Sequence, residues 1–307
     1  MSYILQTNHL SKVIDGKELV TDVNIHIKKG EIYGFLGPNG AGKTTVMKMI
    51  TNLWKPTNGT VALFGEALED TSYEVLKRMG SIIEFPTFYE HMSGKDNLQL
   101  HCEYMGYYNK GSVEEAMQML DLADAANKPV KRYSLGMKQR LGIARAILCR
   151  PELVILDEPA NGLDPAGMKQ IRDLFKMLCT EYGMTLMISS HLLPEIESIA
   201  DTVGVIHHGK MMKEISMKEI VETNTAYIEL VVEDIKKASY VLAEKMQLSN
   251  FKIVDNTIIR IYERGTTTQK ISKELMMNDV GISSISQHTQ NLEDYFLKIT
   301  GEVGKSC

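Results

Sequence analysis

Apolar and polar residues alternate over residues 3–7 and 18–27, the period-two pattern of half-buried strands. The run EIYGFL (31–36) is instead almost continuously apolar, which predicts a strand covered on both faces. It ends in a glycine-rich turn, and residues 43–52 then take up a helical period. A strand over 60–63, a helix over 72–78 and a strand running to Glu84 follow. Residues 93–150 read as wholly helical, with VEEAMQMLDLAD and SLGMKQRLGIARAILC the clearest amphipathic stretches. Strand and helix then alternate: LVILD (153–157), a helix over 167–182, TLMIS (185–189), a helix around 193–200, and TVGVIH (202–207). Strands joined by crossover helices predict an α/β fold with a parallel sheet, and the helical block predicts a subdomain of its own.

Beyond residue 222 the pattern changes. AYIELVVE, DIKKASYVLAEKM, NFKIVD, TIIRIYE, TTQKISKELMMND and GISSISQ predict β-α-β-β-α-β, with NLEDYFLKIT as a last helix. That order fits a small ferredoxin-like domain. The expected division is 1–222, with a helical part at about 86–150, and an accessory domain over 223–307.

Composition narrows the partners. The 307 residues carry 34 basic against 39 acidic side chains, a formal charge of −5, which argues against a nucleic-acid surface. Four scattered cysteines (Cys102, Cys149, Cys179, Cys307) without a CxxC pair read as reduced, mostly buried thiols. MSYILQTNHL lacks the regions of a signal peptide, and no apolar run reaches the roughly 18–20 residues that span a bilayer. A cytoplasmic protein is expected, with any membrane role supplied by a partner chain.

Three strand ends carry chemistry. GPNGAGKTT (Gly37, Pro38, Asn39, Gly40, Ala41, Gly42, Lys43, Thr44, Thr45) follows a strand and opens a helix, the context a phosphate loop needs. Its N–H groups converge on phosphate oxygens, Lys43 adds a point charge, and the Thr44 hydroxyl suits Mg2+. LVILDEP delivers Asp157, a candidate metal ligand, and Glu158, a candidate general base, at the carboxyl edge of the sheet. TLMISSH ends in Ser189, Ser190 and His191 at the same edge, within reach of a γ-phosphate. GSIIEFPTFYEHMSG (80–94) ends its apolar run in Glu84, and that stretch alone leaves open whether the acid meets a cation or solvent. His207-His208 before Gly209 reads as a polar turn.

With YSLGMKQR (133–140) between these motifs and NGLDP (161–165) after the catalytic acid, residues 3–222 resemble the nucleotide-binding subunit of ABC transporters, a P-loop NTPase. The resemblance implies ATP and Mg2+ as cofactors and a head-to-tail dimer with ATP at the interface. Ser134 and Gly136 of one chain would then face the phosphate loop of the other, and Asp164 would join the two sites. It also implies separately encoded permease subunits and a place on the inner face of the membrane.

Three departures stand out. Leu135 and Met137 replace the usual Gly and Gln. Val13 and Ile14 fall where an aromatic residue covers adenine, with Ile14 the candidate contact and weaker adenine discrimination the expectation. Glu84 replaces a Gln that touches Mg2+, which keeps the length and adds a charge. With the YSLGMKQRLGIA run and NLEDYFLKITG, this Glu makes the chain similar to the bacitracin-type and lantibiotic-immunity group. The competing readings are a soluble ABC-type ATPase acting on nucleic acid or ribosomes, and a regulatory nucleotide-binding module.

Overall fold

In the computed structural model, residues 3–223, 227–263 and 265–288 are described. NLEDYFLKIT and Cys307 lie outside them. The chain divides into two compact units, at Lys218 and Glu219.

The first unit contains two sheets. β1 (Tyr3–Ile14), β2 (Lys17–Lys28), β4 (Asn58–Leu63) and β5 (Glu66–Ala67) form an antiparallel sheet in the order β2-β1-β4-β5. The second takes β3 (Ile32–Leu36), β6 (Met79–Ile82), β7 (Leu153–Leu156), β8 (Thr185–Ser190), β9 (Thr202–His207) and β10 (Lys210–Ser216) in the order β10-β9-β3-β8-β7-β6. Every pairing in it is parallel except β10 with β9. β3, β7 and β8 are buried at every position, as their unbroken apolar runs require.

α1 (Lys43–Ile50) buries Val46, Met47, Met49 and Ile50 in one core with Leu5 and Ile25 of the antiparallel sheet and Phe35, Ile155 and Met187 of the parallel one. α2 (Tyr73–Lys77) leads into β6. The block expected to be wholly helical is broken. α3 (Gly94–Met105), α4 (Ser112–Met119) and α5 (Leu135–Ile147) are separated by loops and by single 3-10 turns at Ala123–Ala125 and Val130–Arg132. Pro129 helps explain the interruption, since it fixes its own φ and disfavours helix in the residue before it. Ser93 and Asp96 form a reciprocal capping box that starts α3. α6 (Pro165–Thr180) and α7 (Leu193–Glu197) pack against β8 and β3. α7 is shorter than the stretch 193–200 expected of it, and β10 was not foreseen.

α8 (Met217–Thr223) spans the division between the units. The second unit has β11 (Tyr227–Val232), α9 (Ile235–Tyr240), β12 (Phe251–Ile253), β13 (Ile258–Ile261), α10 (Thr268–Met277) and β14 (Ile282–His288). Their antiparallel order β12-β13-β11-β14 is that of a ferredoxin-like sheet. Ile228, Leu230 and Val232 alternate onto its buried face, against Ala238, Leu242, Ile271 and Leu275 of the helical stretches.

Candidate functional site

Register in the parallel sheet sets the level of the chemistry. Phe35 pairs with Ser189, Leu36 with Ser190, Leu156 with Ile188 and Ile82 with Leu156. The carboxyl ends of β3, β7 and β8 therefore present Gly37, Asp157 and His191 along one edge, where open α/β sheets bind ligands.

Two glycines shape the loop after β3. A Cβ on Gly37 would lie 2.4 Å from the Ile206 carbonyl oxygen, so only glycine fits there. Gly42 precedes α1 with φ of +108°, a conformation that L side chains rarely adopt. The Gly209 N–H, in the turn after β9, donates to the Ala41 carbonyl at 2.9 Å and props the loop from behind. Pro38, Asn39 and Gly40 are exposed, and Thr45 is half-buried. Lys43 is buried, and its ammonium donates to the Gly37 carbonyl at 2.6 Å and the Pro38 carbonyl at 3.3 Å.

The acids close the loop from the β7 side. Thr44 Oγ1 donates to Asp157 Oδ2 at 2.7 Å, and Ser189 Oγ donates to Asp157 Oδ1 at 2.6 Å. Ser189 Oγ in turn accepts the Glu158 N–H at 2.8 Å. Glu158 has φ of +48°, a left-handed conformation costing a non-glycine residue about 1–3 kcal/mol. Its carboxylate is 19% exposed and divided between two partners. Oε2 lies 2.8 Å from His191 Nδ1, while Oε1 lies 3.2 Å from Lys43 Nζ without hydrogen-bond alignment. Hydrogen bonds and ion pairs thus link Lys43, Thr44, Asp157, Glu158, Ser189 and His191 into one network. The Thr44 hydroxyl and the Asp157 carboxylate offer only hard oxygen donors, the set that fits Mg2+. Glu158 Oε1 is buried beside the Lys43 ammonium and has no hydrogen bond of its own.

Glu84 lies just beyond the strand that the sequence pattern ran into it. β6 ends at Ile82, and Glu84 stands two residues further on with φ of +62°. Its carboxylate is 58% exposed and meets a cation, Lys48 Nζ of α1, at 2.7 Å. Lys48 also lies 4.6 Å from the centre of the Trp54 ring. Phe88 is half-buried under the Arg145 guanidinium at 4.9 Å, whereas Tyr89 is 57% exposed. Arg145 and Phe88 line a cavity of about 310 Å³ with Thr87, Tyr89, Asn97 and His101.

A second cluster forms where α5 and α6 begin. Ser134 caps α5 by accepting the Met137 N–H, and Asp164 caps α6 by accepting the Gly167 N–H at 2.9 Å. A Cβ on Gly136 would lie 3.3 Å from Leu163 Cδ2, and one on Gly162 would lie 2.8 Å from Leu135 Cδ2. The two helix starts are thus in contact. No hydrogen bond among the described residues joins Ser134, Gly136 or Asp164 to residues 37–45. Ile14 ends β1 with 37% of its surface exposed. Cys102, Cys149 and Cys179 are free and half-buried; burial pushes the Cys149 and Cys179 thiols up to about 12.

A phosphate loop between strand and helix, an Asp-Glu pair on the adjoining strand end and a histidine on the next define a nucleotide-hydrolysing P-loop protein of the ABC type. The ABC transporter family model matches residues 20–161. The chain is 58% identical over 299 residues to the ABC transporter ATP-binding protein YcbN of Bacillus subtilis (strain 168), covering 97% of each. It is 44% identical over 304 residues to the bacitracin transport ATP-binding protein BcrA of Enterococcus faecalis, covering 99% of this chain and 98% of that one. The solved structure of an ATP-binding subunit of an ABC transporter aligns with a TM-score of 0.66 at 26% identity, over 72% of this chain and 92% of that one. The chain belongs to the ABC transporter ATP-binding family: it binds ATP and is an ATPase coupled to transport. No helix among the described residues is long and apolar enough to cross a membrane.

Proposed function

We propose that this subunit powers export of a peptide antibiotic of bacitracin or lantibiotic type through a separately encoded permease, from the cytoplasmic face of the membrane. The observation that carries the hydrolytic part is the Lys43–Glu158–His191 connection beside Thr44–Asp157–Ser189. Residues 37–45 cradle the phosphates, and Lys43 turns from the loop carbonyls to the β- and γ-phosphates. Thr44, Asp157 and Glu84 would hold Mg2+, which would supply charge neutralisation at the phosphates. Glu158 takes the proton of the attacking water, and His191, bonded to its Oε2, orients it and contacts the γ-phosphate.

Ser134, Gly136 and Asp164 act across a head-to-tail dimer. What supports this is their clustering on capped helix starts that make no hydrogen bond to their own phosphate loop. Ile14, apolar and exposed, covers the adenine. The exposed Phe85 and Tyr89, beside the cavity under Arg145, suit contact with the permease. The bacitracin relative, matched over nearly its whole length, supports the cargo class. Action on nucleic acid or ribosomes is disfavoured by the net charge of −5, and a purely regulatory role by the intact acid network. Deleting the gene should sensitise the host to bacitracin or a lantibiotic, with resistance restored by the wild type and not by Lys43→Ala. Unchanged sensitivity to both classes would refute the cargo assignment.

A further inference from the structure

We propose that Lys48 is a positioning residue for the metal–nucleotide site, acting as the built-in counter-charge of Glu84. The inference rests on the reading of Glu84 as a metal ligand. Glu84 turns back toward α1 through a left-handed backbone, and its Oε1 lies 2.7 Å from Lys48 Nζ. The lysine side chain is 16% exposed and is further fixed by the Trp54 ring 4.6 Å away. Lys48 stands one helical turn beyond Thr44, on the same face of α1. Thr44 holds Asp157, and the Asp157 N–H donates to the Ile82 carbonyl, two residues before Glu84. The ion pair is thus linked to the oxygen donors that suit Mg2+ through one turn of α1 and the strand-end hydrogen bond.

Charge gives the arrangement its purpose. A carboxylate beside a triphosphate attracts a divalent cation but repels the nucleotide itself. Paired with an ammonium, Glu84 presents an oxygen ligand within a unit of zero net charge. Lys48 thus lets a carboxylate serve here without driving off ATP.

The test is a double-mutant cycle read by binding, not turnover. ATP affinity is measured by calorimetry with EDTA and across a Mg2+ titration, for wild type, Lys48→Met, Glu84→Gln and the double variant. Far-UV circular dichroism verifies the fold of each variant, because Trp54 touches Lys48 and its fluorescence would respond to the substitution itself. Lys48→Met should weaken metal-free ATP binding about tenfold, roughly 1.4 kcal/mol, and steepen the gain on adding Mg2+. In the Glu84→Gln background the same change should cost less than about twofold. Lys48→Arg should behave as wild type. Equal losses in both backgrounds would overturn the role of Lys48 alone. An unchanged Mg2+ gain in Glu84→Gln would overturn the ligand reading of Glu84, and the proposal with it.

Discussion

Ser189 offers a sharp perturbation, because one buried hydroxyl serves both acids. Its Oγ donates to Asp157 Oδ1 at 2.6 Å and accepts the Glu158 N–H at 2.8 Å, in a residue with no exposed surface. Ser189→Ala leaves both groups short of a partner. A buried polar group left unsatisfied costs about 1–3 kcal/mol. Asp157 keeps the Thr44 bond on its other oxygen, so its share falls at the low end, and the sum is about 2–4 kcal/mol. For a unit of some 200 residues each kcal/mol moves the midpoint by about 2–4 °C, so melting should fall by roughly 4–16 °C. Function should suffer separately. The lost bond helps hold Glu158 in its left-handed backbone, and removing such outer partners typically costs about 10–100-fold in activity. Nucleotide affinity, set by the loop and Lys43, should stay within about threefold. Thermal melts followed by circular dichroism, phosphate release and fluorescent-nucleotide binding separate the three effects. A midpoint within about 1 °C and turnover within about twofold of wild type would refute the argument.

Other outcomes follow from the same geometry. Lys43→Ala removes the loop's only buried ammonium and should weaken ATP binding at least about tenfold in an equilibrium nucleotide titration. On the proposal that Ile14 covers the adenine, its aliphatic side chain lacks about 1 kcal/mol of stacking, so ATP and GTP should be hydrolysed at similar rates; strong ATP preference in a competition assay would contradict this. With folded values near 12, Cys149 and Cys179 stay neutral thiols at pH 8, and a disulfide reagent should label them slowly until guanidinium exposes them. The unfolded thiols ionise at lower pH than the folded ones. Their contribution to stability is therefore complete below about pH 8.5 and is lost as pH rises toward 12, which alkaline melts would register.

The hydrolytic half of the site was legible because it hangs on strand ends. Buried parallel strands need unbroken apolar runs, and the residues that stop those runs, GPNGAGKTT, Asp157-Glu158 and Ser189-Ser190-His191, land at one edge whatever the loops do. β10 was not legible, since its exposed and half-buried KMMKEIS lacks the clean alternation of a covered strand. The helical block was over-read because apolar spacing continues through residues that make only single turns. Glu84 was singled out, but its partner was not. Lys48 is 36 residues away in sequence, and only its position one turn after Thr44 on α1 hinted at the pairing. The central part of Ser189 lay beyond sequence reading too, because a hydroxyl between two acids is a matter of register between β7 and β8.

The central claim is that Glu158 performs the hydrolytic step at a site this chain builds from its own phosphate loop. It is tested most directly by Glu158→Gln, with ATP binding and phosphate release measured side by side. Glutamine keeps the shape and a partner for His191 but cannot take a proton from water. The account predicts Mg2+-dependent hydrolysis by the wild type, and a variant that binds ATP as tightly yet turns over slower by about 10²–10⁴-fold. A variant that binds ATP and hydrolyses it at the wild-type rate would contradict it.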